Sequence, residues 1–492
     1  MNKDTSRAGR RTGRMPGDEK LEEMIAIALV FALMTAWIFI MGSRIAGPDE
    51  EMRYDIAEWF YQHSSGLPCG YDPGLLNSTW GFSYAYYPYL AYMIGGLFMK
   101  LVSVFTTSPL ALLRAARMAS CLFITIGAYF TIRTGKELFG RRKGMLYACL
   151  IIFMPAYHYL GTYVNVDSLA LMAVSVIVYA WARTLQDGWT WKNCMILAAG
   201  MGICMLSYYN AYGWVLFSFF FFVLSILFCH EGTRKERITF LLKRGIAVAA
   251  VTLAICGWFF IHNAVIYHGD ILGRNISSYY SEIYAAKGFK PSDHFTPQGA
   301  GWSLWHFITY QDPGWAHNWL IDSLLSFFGV FGIFNVYMPE TVSKIYFFIT
   351  WIGMLGMLFT LRSFAWRRRK VTVSREVTQT ADLRQTRIVR TVERENKYRP
   401  EGIFNLCMIG AVVISFLIFF DYAYTVDIQS QGRYFEPAVY GVMYFAVYGY
   451  MTLMTKLKAG DRVKDWFCRL LSLAWVMMAV FNFFLVIVPY YA

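Results

Sequence analysis

Thirteen apolar segments punctuate the chain, at about residues 24–43, 82–105, 112–134, 144–160, 166–184, 192–208, 211–229, 243–266, 322–337, 343–362, 402–421, 436–455 and 467–489. Most approach the ~20 residues that an α-helix needs to cross a ~30 Å hydrocarbon core. In that medium each backbone N–H and C=O must find its partner within the protein, and continuous apolar runs satisfy this as helices. The sequence therefore predicts an all-α polytopic membrane protein. Its composition agrees, with 57% hydrophobic and 16% charged residues, against about 25% charged in a soluble chain. A disordered protein, a coiled coil and an ordinary soluble enzyme are excluded.

Charge placement decides which segments cross. Lys and Arg concentrate in cytoplasmic loops. If all thirteen segments spanned, the basic loop Arg133–Lys143 would lie outside, as would the loop holding Arg234, Lys235, Arg237, Lys243 and Arg244. Removing 82–105 from the set moves both inside, and its Tyr-rich start suits a helix lying at the outer interface. Segment 322–337 is short and interrupted by Ser326, Gly329 and Gly332. Reading it as interfacial or re-entrant keeps the basic stretch 363–401 inside. About eleven spanning helices remain of the eleven to thirteen available, with interfacial helices in the first and second outer loops and a cytoplasmic N-terminus.

The organisation then reads as a basic cytoplasmic N-terminus (1–23), a transmembrane catalytic module (24–363) with outer loops at 44–113 and 267–343, a charged cytoplasmic linker or small peripheral helix (364–401), and C-terminal transmembrane helices (402–492). Most of the 45 Lys and Arg fall on the cytoplasmic side. The net charge of +13 is thus a topology signal and implies no nucleic-acid partner. Eight of the nine cysteines lie in or beside apolar runs and Cys69 has no loop partner, so neither a disulfide nor a cysteine metal site is expected.

Four polar motifs sit at the outer ends of these helices. In Gly47-Pro48-Asp49-Glu50-Glu51-Met52-Arg53-Tyr54, Pro48 can open a helix whose first turn favours Asp49 and Glu50. Arg53 stands at i+4 from Asp49, a pairing distance. The same carboxylates, at the membrane surface, suit a general base or a metal ligand. In Tyr163-Val164-Asn165-Val166-Asp167-Ser168 a tight turn needs Asn165 and Asp167 for backbone reasons. Asp167 also lies near membrane depth, where an ionisable residue is a functional candidate by default. In Gln429-Ser430-Gln431-Gly432-Arg433-Tyr434-Phe435-Glu436-Pro437, Arg433 can pair with Glu436 or bind a phosphate bidentately. In Trp258–Asp270, His262, His268 and Asp270 lack zinc-ligand spacing. Tyr84, Tyr86, Tyr87 and Tyr89 read as an interfacial belt, with sugar stacking as the second use.

Taken in order, the Pro-Asp-Glu start of the first outer loop, the outer Asn-x-Asp turn and the late Gln-Gly-Arg-Tyr resemble the GT-C superfamily of membrane glycosyltransferases. The likeness is to bacterial relatives of the protein O-mannosyltransferase family. It implies that Asp49 orients or deprotonates the acceptor, that Asp167 is a second acid facing the same cavity, and that Arg433 contacts a lipid phosphate. The implied catalytic set is Asp49, Glu50 and Asp167. The implied substrate contacts are Arg433, Gln431, Tyr434, Arg53, Tyr54, Asn165, Asn263 and Tyr87.

The expected activity is hexosyl or pentosyl transfer from a polyprenyl-phosphate-linked sugar to a lipid, glycan or protein acceptor. It would take place at the extracytoplasmic face of the plasma membrane. No organic cofactor is implied, and a divalent cation is left open. Two other classes compete. A flippase of lipid-linked glycans wants charged residues along a path inside several helices, whereas here they cluster at helix ends. A polysaccharide polymerase or ligase using diphosphate donors wants more outer cations.

Overall fold

The computed structural model describes residues 17–42, 46–360, 368–379, 386–398 and 400–491, and of 368–398 the backbone alone. Arg7, Arg10, Arg11 and Arg14 of the basic N-terminus lie outside the described residues. The first half comprises α1 (Gly17–Ile40), α2 (Glu50–Gln62), α3 (Leu90–Ser103), α4 (Pro109–Phe139), α5 (Arg141–Ile152), α6 (Pro155–Leu160), α7 (Asp167–Asp187), α8 (Trp191–Met205) and α9 (Tyr212–Cys229). The second comprises α10 (Arg234–Ile266), α11 (Arg274–Tyr284), α12 (Leu304–Thr309), α13 (Trp319–Gly329), α14 (Glu340–Gly356), α15 (Pro400–Thr425), α16 (Val439–Lys456), α17 (Asp461–Asn482) and α18 (Val488–Tyr491).

The all-α membrane fold is as expected. Eight helices, in α1, α4, α7, α9, α10, α14, α15 and α17, are long and apolar enough to cross a membrane by length and composition. The other three expected spans fall short for identifiable reasons. The α5–α6 rod breaks at Met154, because Pro155 offers no N–H and opens a new helix. The helix α8 has only 15 residues, and the 18-residue α16 is diluted by four tyrosines and two glycines.

Both segments withheld from the spanning set are indeed short. The 14-residue α3 packs between α2 and α4. Gly96 makes the α2 contact possible, since a Cβ there would stand 2.7 Å from the Ala57 carbonyl oxygen. The second segment is the 11-residue α13 followed by a tight antiparallel hairpin, β1 (Val330–Phe331) on β2 (Val336–Tyr337). Gly332 turns it with φ +65°.

The stretch read as a linker or small helix differs. Its backbone forms two antiparallel strands, β3 (Arg368–Gln379) and β4 (Thr386–Tyr398). Val371, Val373 and Val377 alternate with polar residues, and Val377 pairs with Ile388. Valines at 371, 373 and 377, broken by Arg375, are a strand signal that the charge density hides.

The helix α7 runs through the middle of the bundle, whereas α10 is mostly exposed on its flank. Acidic residues at the start of α1 fasten the opposite end of the bundle from the site. Glu23 pairs with Lys136 of α4, while Glu19 lies 3.1 Å from Arg141 and Glu22 lies 2.9 Å from Arg142, both on α5. These pairs fix α1 against the α4–α5 turn and so fix where its other end delivers residues 46–50.

Candidate functional site

The Gly-Pro-Asp-Glu motif is a compact turn rather than a helix start alone. The Glu50 N–H donates to the Gly47 carbonyl at 3.2 Å and α2 begins only at Glu50. Asp49 stands before it in the left-handed region, φ 56° and ψ 17°, a conformation Asp and Asn tolerate better than other side chains. Gly47 lies flat on the Tyr163 ring, where a Cβ would come within 2.2 Å of a ring carbon.

This turn sends the two adjacent carboxylates in opposite directions. Glu50 enters the core with no exposed side-chain surface. Arg117 of α4 grips it from Nε and Nη2, each at 2.8 Å. The backbone N–H of Val164 donates to it at 2.9 Å and that of Ala46 at 3.2 Å. Glu50 was an expected catalytic residue, but four donors already occupy its oxygens. Its geometry is that of a staple joining the first outer loop, α4 and the Tyr163–Asp167 turn.

Asp49 turns outward and is 35% exposed. Its Oδ2 accepts from the Tyr84 hydroxyl at 3.0 Å and faces Arg53 Nη2 at 3.5 Å and Arg433 Nη2 at 3.9 Å. Its Oδ1 has no hydrogen-bond partner among the described residues. Arg53 also reaches Asp167 Oδ2 through Nη1 at 3.5 Å. The Arg53 and Asp167 side chains, 4% and 6% exposed, form a lower layer, with Asp49 and the 14% exposed Arg433 above. The four charges sum to zero. Tyr84 lies under Arg53, 5.0 Å from ring centroid to guanidinium carbon. Burial, and then the Asp49 charge, hold its hydroxyl protonated well above the usual tyrosine range, which fits its role as the donor.

Arg433 is aimed by its neighbours. Its Nε donates to Gln431 Oε1 at 2.8 Å, Nη1 to the Tyr163 hydroxyl at 3.5 Å and Nη2 to the Tyr434 hydroxyl at 3.3 Å. The Tyr434 hydroxyl in turn donates to Gln429 Oε1 at 2.6 Å. Gly432 lets this segment close on α13, with its N–H donating to Ser326 Oγ at 2.8 Å. A small hollow opens beside Arg433, walled by Pro48, Tyr159, Val330 and Phe334.

The structure thus brings Asp49, Arg53, Asp167, Arg433, Gln431 and Tyr434 together. Other expected contacts serve the frame. Asn165 is a turn residue, donating to the Leu160 and Tyr163 carbonyls at 2.8 and 2.7 Å and accepting from the Ser168 N–H. Asn263 ties α10 to the Tyr86 carbonyl at 3.2 Å. Tyr87 donates to Ser277 of α11 at 3.0 Å. Tyr54 is buried in the packing of α2, α3 and α4. Arg433 does not pair with Glu436. Glu436 is 1% exposed, and neither carboxyl oxygen has a hydrogen-bond partner among the described residues. It lies in the 3₁₀ segment Gly432–Ala438, ahead of the α16 helix.

Three contributors were hidden in the sequence. Tyr84 was read as part of an interfacial belt, and Tyr86 and Tyr89 are in fact fully buried. Arg117 of α4 is not among the expected site residues, yet it holds Glu50. Its signal is a charge inside an apolar run, next to Arg114, where a guanidinium is costly without a partner. Glu436 was given the wrong partner.

Among the described residues no group of three or more His, Cys, Asp or Glu side chains converges on a metal-sized space. Asp49 and Asp167 flank the Arg53 guanidinium, so the position between them already holds a cation. Asp270 is engaged by the Ile276 N–H at 2.9 Å.

Residues 88–258, about a third of the chain, match the family described as dolichyl-phosphate-mannose-protein mannosyltransferase. No curated protein matches the chain. Among solved structures it is similar to the apo oligosaccharyltransferase of Archaeoglobus fulgidus, with 13% identity and a TM-score of 0.52 over 96% of this chain and 56% of that one. The same enzyme, AglB, with an inhibitory peptide and a dolichol-phosphate gives 12% identity and a TM-score of 0.50 over 97% and 56%. Its complex with Zn and sulfate gives 14% and 0.50 over 92% and 52%. The chain therefore spans little more than half the length of these structures. The fold is that of these oligosaccharyltransferase structures, and the match over residues 88–258 agrees with the resemblance to the protein O-mannosyltransferase family.

Proposed function

We propose that the protein is an integral-membrane glycosyltransferase that moves a sugar from a polyprenyl-phosphate donor to an acceptor hydroxyl at the extracytoplasmic face. The observation that carries this reading is the Asp49–Arg433 juxtaposition, 3.9 Å apart at the exposed top of a charge-balanced cluster. A sugar on a lipid phosphate needs two things at its anomeric carbon. A base must take the acceptor proton, and cations must receive charge growing on the departing phosphate. Asp49 Oδ1 supplies the first, because Oδ2 is occupied by Tyr84 and the two arginines. Arg433 supplies the second, with its guanidinium aimed by Gln431, Tyr163 and Tyr434. Asp167 holds Arg53, and Arg53 holds Asp49, so the lower layer orients the upper one.

The chemistry written this way balances with protein groups alone. The acceptor oxygen forms the new glycosidic bond, its proton passes to Asp49, and the bond from the anomeric carbon to the phosphate oxygen breaks with its electron pair leaving on the phosphate. Attack opposite the leaving group inverts the anomeric centre. Arg53 fills the position between the carboxylates, so activity is expected to survive a chelator.

The test is transfer of labelled sugar from polyprenyl-phosphate donors by the purified full chain, wild type against Asp49→Asn. Asn tolerates the left-handed backbone of Asp49, so the substitution removes charge without straining the turn. Loss of a general base costs about 10²–10⁴-fold in turnover. A loss of that size in kcat, with donor KM held, supports the assignment. Unchanged kcat overturns the role of Asp49, and no turnover with any monophosphate donor overturns the function.

A further inference from the structure

Glu436 is a carboxyl near the site that the proposed chemistry leaves idle and, unlike Glu50, without a donor among the described residues. It lies three residues after Arg433 on the inner side of the same 3₁₀ segment, outside the α16 helix. Both of its oxygens are buried without a hydrogen bond among the described residues. The ionisable groups facing it are Asp167 from α7 and the Tyr157 hydroxyl from α6. The other elements packed on its segment bring Ser323, Ser326 and Phe327 from α13, Phe416, Phe419 and Tyr422 from α15, and Asn210 from the turn Tyr209–Ala211. No cation faces it among the described residues, because Arg53 and Arg433 are already directed at Asp49 and Asp167. A carboxylate cannot be held cheaply in such a place, whereas the neutral acid can. Burial first, and then the Asp167 charge, push its carboxyl well above the usual carboxylate range.

We propose that Glu436 is a positioning residue that works as a neutral acid. Held protonated, it keeps the two aspartates and two arginines before it at zero net charge, and its ionisation weakens the hold on an anionic lipid phosphate. The inference rests on the proposed function for the identity of that anion. The sign follows from the group. Below its titration Glu436 is neutral and the site takes up the phosphate. Above it the proton leaves to water, the protein side of the site becomes net negative, and affinity falls. The device acts through Asp167 and Arg53, not by contact with the reacting atoms.

The experiment compares wild type and Glu436→Gln as full-length purified protein. Sugar-free polyprenyl phosphate is the probe, titrated from neutral to alkaline buffer. The phosphate's own titration is common to both proteins, so the difference between them isolates Glu436. Wild-type affinity is expected to fall by up to about tenfold per pH unit, the slope of one proton, relative to a Glu436→Gln reference. In turnover the same contrast falls on donor KM, with kcat at saturating donor within about twofold, which a merely structural role would not separate. Infrared spectra are expected to show a protonated-acid carbonyl in wild type at neutral pH that is missing in the variant. If Glu436→Gln fails to fold, loss of that carbonyl in wild type alone, on going from neutral to alkaline buffer in step with lost phosphate binding, carries the same decision. Identical pH dependence in the two proteins, or no acid carbonyl at neutral pH, overturns the inference and leaves the function standing. Wild type that binds no polyprenyl phosphate at any pH overturns both, while the carbonyl still shows where the proton resides.

Discussion

Asp49 and Glu50 are neighbours with the same functional group, and the left-handed backbone of Asp49 gives them opposite environments. A buried carboxylate gripped by one guanidinium and two backbone N–H groups is expensive to break, because loss of one partner strands the other charge. Glu50→Gln is therefore expected to cost about 3–5 kcal/mol of stability. Thermal unfolding in detergent should show the loss, together with reduced yield. Asp49→Asn, by contrast, should unfold as wild type does. Equal unfolding of all three proteins would show that Glu50 is not the staple. A linear sequence could identify the Asp-Glu pair as important but could not divide the two roles. The divider is one backbone torsion, and the Arg117 that claims Glu50 is 67 positions away. Asp167 and Arg433 were legible because an ionisable residue at the end of an apolar run has few structural uses. Tyr84 was not, because a tyrosine at a membrane interface has an ordinary explanation.

Elements bring those residues together through close backbone contacts. The Gln-Gly-Arg-Tyr segment lies on α13, and Gly432 is the contact. A Cβ there would stand 2.3 Å from the Phe327 N and 2.5 Å from the Ser323 carbonyl oxygen, both backbone atoms that cannot swing aside. Gly432→Ala is expected to separate the segment from α13, at the ~1–3 kcal/mol typical of overpacking. It would carry Arg433 away from Asp49. The expected readout is a raised donor KM together with a lowered melting temperature. A variant with wild-type KM would show that α13 does not set the position of Arg433. Helices of this kind were legible from hydrophobic runs, and the shortness of α3 and α13 from charge and broken periodicity. The lengths of α8 and the break at Pro155 were less so, since a run of apolar residues gives its extent and not where backbone hydrogen bonding stops. The β3–β4 ribbon was hidden because its valines alternate within a stretch dominated by charge.

At the scale of the whole molecule, all site residues gather at one end of the bundle. They come from the turn before α2, the starts of α2 and α7 and the segment entering α16. The opposite end holds the Glu19–Glu23 cluster with Arg141, Arg142 and Lys136. The basic turn around Arg141 and Arg142 lies at one end and the reactive cluster at the other, and because Lys and Arg resist translocation this separation bears on sidedness. The proposal that the donor is used outside the cytoplasm then becomes a statement about two loops. Gln298, in the second outer loop, and Arg462, beside the start of α17, are both exposed. In a background carrying Cys69→Ser, Gln298→Cys is expected to react with a membrane-impermeant maleimide on intact cells. Arg462→Cys is expected to react only after the cells are opened. Labelling in the reverse order would invert the topology and place Asp49 on the cytoplasmic side. A glycosyltransferase could still operate there, but its donor would have to be drawn from the inner leaflet, and the charge asymmetry that separates the two ends would need another cause.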